Sequence, residues 1–117
     1  MNKRDLTESL QDILAAISAI ERFMTEVEFE DFVQNEEKLF AVVKGIEIIG
    51  EAVKNVPDSI RSNYPEISWK RIAGMRDKLV HEYWGIDVNI LWKTTQQRVP
   101  DLKVEIARVM EDLQQQE

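Results

Sequence analysis

Apolar residues recur at three- and four-residue steps over most of this chain, with charged side chains filling the positions between. From about Lys3 to Thr25, Leu6, Leu10, Ile13, Leu14, Ile17, Ile20 and Met24 fall on one face, which predicts an amphipathic helix. The acidic stretch EVEFEDFVQNEE follows as a linker, with Phe29 and Phe32 placed to pin it to a core. A second helix is expected from about Asn35 to Asn55, with Asn35 as N-cap and Glu36 and Glu37 in the first turn. Its apolar residues, Leu39, Phe40, Val42, Val43, Ile46, Ile48, Ile49 and Val53, spread over more than one face, as in a helix central to a bundle. Gly45 and Gly50 weaken that helix and would let a neighbour come close.

Val56-Pro57-Asp58 stops the second helix, and residues 57–66 read as a connection with a short helical turn. Ser68 is a suitable N-cap for Trp69-Lys70-Arg71-Ile72. The third helix starts there or at Gly74 and is expected to end near Tyr83 or Trp84, before Gly85. Asp87 caps a fourth helix from about Val88 to Arg98, and Pro100 opens a last one with a buried stripe of Leu102, Ile106, Val109, Met110 and Leu113. The terminal QQQE is expected to fray. With no hairpin turn signal and no sustained period-two run, the expectation is an all-α protein. It would be one domain over residues 1–117, folded as an antiparallel bundle of four or five helices.

Composition narrows the function classes. A length of 117 residues suits one domain. The absence of cysteine rules out disulfides and thiolate metal sites. The first residues do not form a signal peptide, and no apolar run approaches the roughly 18 residues that cross a membrane. A soluble, cytoplasmic protein is expected. Net charge is −7, so the field of the whole molecule repels polyanions, and any nucleic-acid surface must be local. One histidine and no cysteine make a zinc site improbable, and no Walker-type or dinucleotide glycine pattern occurs. No cofactor is expected.

Chemistry concentrates in GMRDKLVHEYWGID, residues 74–87. It holds the sole histidine, His81, five positions after Arg76 and two before Tyr83, and with Lys70, Arg71 and Lys78 it forms the most basic short region of the chain. Cleavage of RNA without a metal needs a group to move the proton of the ribose 2′-OH and a cation on the phosphoryl oxygens. An imidazole titrating near neutrality suits the first, and a planar, permanently charged guanidinium the second. Lys70, Arg71 and Lys78 are further phosphate-contact candidates, and Tyr83 can hydrogen-bond a phosphate or stack on a base. On one continuous helix, however, His81 would lie about 140° round the wheel from Arg76. The long Arg76 side chain, a loosening of the helix near His81, or a second subunit would have to close that gap. A purely structural role stands beside this: a histidine near a helix end is often structural, Arg76 can pair with Asp77 or Glu82, and Trp69 reads as a core anchor.

The pattern Arg76-Asp77-x-x-x-His81-x-Tyr83 resembles the Arg-x4-His-x-Tyr signature of HepT-like toxins of the HEPN superfamily. IEIIGEA at 46–52 resembles the second-helix motif of that family, and Trp69 followed by Ile72-Ala73-Gly74-Met75-Arg76 its approach to the active helix. Ser68 departs from the proline often found before that tryptophan. The resemblance covers nearly the whole chain. It implies a helical bundle pairing as a two-fold dimer, with motif helices from both subunits lining one cleft. It also implies a metal-independent endoribonuclease with tRNA as a substrate class. Carried over, His81 is the general acid/base, Arg76 the phosphate-binding stabiliser, Asp77 an orienting group and Glu51 a weaker supporting one. The implied partner is an MNT-type nucleotidyltransferase, the antitoxin of a type VII pair, which silences the toxin by AMP transfer to Tyr83. DNA is not an expected partner. The competing reading is a catalytically silent helical module that docks or regulates that nucleotidyltransferase.

Overall fold

The apolar stripes read above become the buried seams of a helical bundle. A computed structural model describes residues 3–81 and 85–116. Helix α1 (Lys3–Phe23) turns Leu6, Leu10, Ile13, Ile17 and Ile20 inward and lies along α3 (Glu36–Lys54). The acidic linker is not irregular: it contains a short helix, α2 (Phe29–Gln34). Phe32 is fully buried there, and the rings of Phe29 and Phe32 pack on Trp92 at centroid distances of 5.5 and 5.7 Å, so the linker is pinned as expected. Helix α3 is the central element, packed by α1, by α2 and by two helices that follow. Its start is capped as anticipated, with Asn35 Oδ1 accepting from the Lys38 amide at 3.0 Å. Two of its apolar residues, Phe40 and Ile48, stay exposed.

Both glycines of α3 sit at close approaches. A β-carbon on Gly45 would fall 2.8 Å from Ile20 Cγ1, and one on Gly50 would fall 3.0 Å from the carbonyl oxygen of Ala73. That second approach seats α5 (Trp69–Ala73) and α6 (Met75–Leu79) against α3, after the short α4 (Asp58–Asn63). Trp69 is buried and its indole N–H donates to the Tyr64 carbonyl at 3.1 Å, which makes it the anchor it was read to be.

Several boundaries differ from the sequence reading. The third helix is two short helices divided at Gly74, and it ends at Leu79 rather than near Tyr83. Val80 is extended (φ −120°, ψ 123°), in keeping with its β-branched side chain, and begins β1 (Val80–His81). That strand pairs antiparallel with β2 (Gly85–Ile86), Val80 opposite Ile86 and His81 opposite Gly85, an unanticipated short ladder in a bundle that is otherwise helical among the described residues. Gly85 has φ +77°, a conformation that favours glycine, and the Asp87 amide closes the excursion by donating to the Leu79 carbonyl at 2.7 Å.

Asp87 caps α7 (Val88–Lys93) as expected, accepting from the Ile90 amide at 3.1 Å. The break expected before Pro100 is absent. α7 runs through a π-helical turn (Thr94–Arg98) directly into α8 (Val99–Gln115). Proline has no N–H to give the carbonyl four residues back, and the wider π turn just ahead of it accommodates the missing bond. Gln114 and Gln115 belong to α8, so the tail is helical further than expected. No helix among the described residues is long and apolar enough to cross a membrane.

Candidate active site

The Gly50 contact decides where the motif helix sits. Because α3 can approach the Ala73 carbonyl so closely, Arg76, one turn on, faces the polar side of α3. Between them lies an open groove of about 550 Å3 whose lining includes Lys44, Glu47, Glu51, Arg76 and Asp77. Arg76 is about half exposed and its Nε donates to Glu47 Oε1 at 3.4 Å, while its second contact, to Asp77 Oδ1 on the same helix, is 3.8 Å. The structure therefore brings three of the anticipated residues, Arg76, Asp77 and Glu51, into one groove.

Their roles shift in one respect. Glu51 is turned to Lys54 at 3.2 Å, and the carboxylate that reaches Arg76 is Glu47, one helical turn earlier. Glu47 was overlooked, although it stands four residues before Glu51 within the same IEIIGEA stretch and hence on the same face of α3. The Ser68 expectation also changes. Its hydroxyl makes no cap bond and instead accepts from Arg98 Nη2 at 3.0 Å.

His81 follows α6 on β1, so the helical wheel that set it about 140° from Arg76 does not apply past Leu79. The backbone thus leaves the helix before His81. Tyr83 lies outside the described residues. The phosphate-contact candidates do not share the Arg76 groove. Arg71 and Lys78 line a second groove on the other side of α6, and Lys70 is exposed on α5 and lines neither.

The charge of the Arg76 groove is mixed. Lys44, Lys54 and Arg76 stand among Asp12, Glu47, Glu51 and Asp77, three cations against four carboxylates. Such a groove can fix one phosphate at a guanidinium but does not attract a polyanion along its length.

Comparison with known proteins bears on this arrangement. The family model described as "Ribonuclease HepT-like" matches residues 13–109. The chain is 48% identical over 101 residues to the probable ribonuclease HepT of Thermococcus cleftensis, covering 86% of this chain and 92% of the relative. It is 41% identical over 115 residues to a Methanocaldococcus jannaschii protein provisionally named an RNase, covering 98% of this chain and 99% of that one. A Caldanaerobacter subterraneus protein, also provisionally named an RNase, is 39% identical over 102 residues, 87% of this chain and 91% of its own. No solved structure matches the chain.

Proposed function

This chain belongs to the ribonuclease HepT-like family, and from that premise we propose that it is a metal-independent endoribonuclease, the toxin of a type VII toxin–antitoxin pair, acting on RNA of the tRNA class. The observation that carries this reading is Arg76, half exposed on an open groove and tethered by Glu47, with His81 on the strand that leaves the same short helix. Arg76 binds the non-bridging oxygens of the scissile phosphate and offsets the charge that builds on them. His81 takes the proton of the ribose 2′-OH as that oxygen bonds to phosphorus. As the bond from phosphorus to the 5′-oxygen breaks, that oxygen receives a proton from an imidazolium. The products are a 2′,3′-cyclic phosphate and a 5′-hydroxyl. Asp77 orients Arg76.

Two His81 side chains are on hand if the groove is shared by a two-fold pair. Support for that pairing comes from Phe40 and Ile48, apolar and exposed on α3, the latter on the groove lining itself. Tyr83, two residues after His81, is the acceptor for the nucleotidyltransferase partner. Its phenolic oxygen attacks the α-phosphate of ATP, pyrophosphate leaves, and the tyrosine proton is lost to base. The added phosphate competes for Arg76 and repels RNA.

Induced expression of wild type against His81→Ala tests the reading. Wild type is expected to arrest growth with cut tRNA, relieved by a co-expressed nucleotidyltransferase of the MNT type, and the variant is expected to do neither. Equal growth of both strains, with intact RNA, would leave the silent docking module in its place.

A further inference from the structure

The Arg76 groove can fix one phosphate but carries no excess of positive charge to hold a strand along its length, and the molecule as a whole is repulsive, so a second surface is needed to grip the strand if RNA is bound. Such a surface exists on the opposite side of α6. A groove of about 410 Å3 runs between α5–α6 and the α7–α8 rod. Arg71, Lys78, Lys93 and Arg98 line it, with Asp101 as the sole carboxylate of the lining among the described residues. This excess of positive charge is local to a chain of net −7.

The exposed side chains of Arg71, Lys78 and Lys93 make no hydrogen bond or ion pair among the described residues. Arg98 is held differently. It is partly buried, with Nη2 on Ser68 Oγ at 3.0 Å and Nη1 on Glu105 at 3.2 Å, which fixes its guanidinium at one end. The floor is apolar, formed by Met75, Leu79 and the exposed Ile90. A cationic rim over an apolar floor suits a chain of phosphates carrying sugars and bases.

An independent observation marks the same place. The π turn at Thr94–Arg98 widens the helix along this wall, and Thr94, Gln97 and Arg98 all reach the lining from it. A π turn is rare inside α-helices and is frequently found at functional sites. The notch ahead of Pro100 is therefore a shaping device for the groove as well as an accommodation of the proline.

We propose that this groove is an exosite for the RNA sugar–phosphate backbone, gripping nucleotides that flank the scissile phosphate while Arg76 holds the phosphate itself. The strand would cross α6, whose two sides carry the two grooves within one helix diameter of about 10–12 Å. The inference rests on the ribonuclease reading, but its test does not depend on cleavage.

The probe is a fluorescein-labelled single-stranded oligoribonucleotide with 2′-O-methyl riboses, which lacks the attacking hydroxyl. Its anisotropy is followed with the intact wild-type chain and with an Arg71→Ala/Lys93→Ala variant over a salt series. Both side chains are exposed and unpaired among the described residues, so the variant should keep the wild-type circular dichroism and melting temperature. The expected result is at least about tenfold weaker binding, with the slope of log affinity against log salt reduced by about 0.7 for each lost phosphate contact. Arg4→Ala/Arg22→Ala on α1 removes the same charge away from both grooves and is expected to leave that slope unchanged. Equal affinity and slope for the Arg71/Lys93 variant and wild type would overturn the proposal, as would an equal loss in both variants. Where the exosite holds but the chain cuts nothing, the anisotropy changes persist and only cleavage is missing, so the two ideas fail separately.

Discussion

Arg76 divides its guanidinium between Glu47 across the groove and Asp77 beside it, both at surfaces where water screens the charges. Contacts of this kind contribute about 0–1 kcal/mol. The tether therefore aims the side chain without locking it, and a phosphate can displace the carboxylate. Glu47→Ala is expected to lower cleavage less than about tenfold and to add nothing on an Arg76→Ala background, because it acts only through Arg76. Steady-state cleavage of one labelled RNA by the two single variants and the double reads this, and additive losses would assign Glu47 another role. Tyr64 has a different duty. Its hydroxyl donates to Asp112 at 2.5 Å, Arg108 lies over its ring and pairs with Glu66, and its carbonyl takes the Trp69 indole. Burial, then the hydrogen bond and the charge of Asp112, push the Tyr64 hydroxyl above its usual 10.0, against the pull of Arg108. The folded chain keeps this proton longer than the unfolded one does. The contact's contribution is thus intact below pH 10 and lost as pH rises through the raised value. Tyr64→Phe should cost about 1 kcal/mol at neutral pH, less than a fully buried charge-assisted bond because the site is partly exposed, and the difference should vanish in strong alkali. Paired denaturant titrations measure it.

Among the elements, α3 matters most because its glycines set distances rather than turns. Gly50→Ala adds a methyl 3.0 Å from a backbone carbonyl that cannot rotate away. The usual helix gain of about 1 kcal/mol should be outweighed by overpacking, with a net loss of about 1 kcal/mol and a displaced Arg76. Thermal melts and cleavage assays on the same preparation check both halves. The sequence foretold α1, α3 and the start of α7 well because their signals are local: Asn35 and Asp87 cap bonds formed three residues on, the apolar period of α1, and glycines where α3 must be approached. What it missed was non-local. The Ser68 hydroxyl serves Arg98, thirty residues away, and no spacing rule reports that. The π turn hides because Pro100 reads equally as the start of a helix. The early end of α6 depends on Val80 pairing with Ile86, in a ladder too short for a period-two pattern. The sequence placed the candidate residues close together along the chain but did not show that they divide between two grooves. The split of Arg76 from Arg71 and Lys78 follows from which side of α6 each occupies.

At the scale of the whole molecule, an acidic body presents one mixed groove and one cationic groove on either side of a single short helix. The exposed Ile48 lines the mixed one, and covering it together with the exposed Phe40 of the same helix in a two-fold pair would place two Arg76 grooves together. Sedimentation should therefore give a mass twice 13.7 kDa, and Phe40→Glu/Ile48→Glu should give monomers with greatly reduced cleavage. Monomers that cut RNA at the wild-type rate would show that each groove works alone. Every role proposed for the grooves depends on Arg76 and His81 acting on one phosphodiester. The most direct measurement is cleavage of a purified tRNA in excess EDTA by wild type, Arg76→Ala and His81→Ala, with end-group analysis of the products. The expected result is cutting by wild type that leaves 2′,3′-cyclic phosphate, with each variant slower by at least about 100-fold and still folded. Equal cutting by all three proteins, or wild-type cutting that EDTA abolishes, would contradict it.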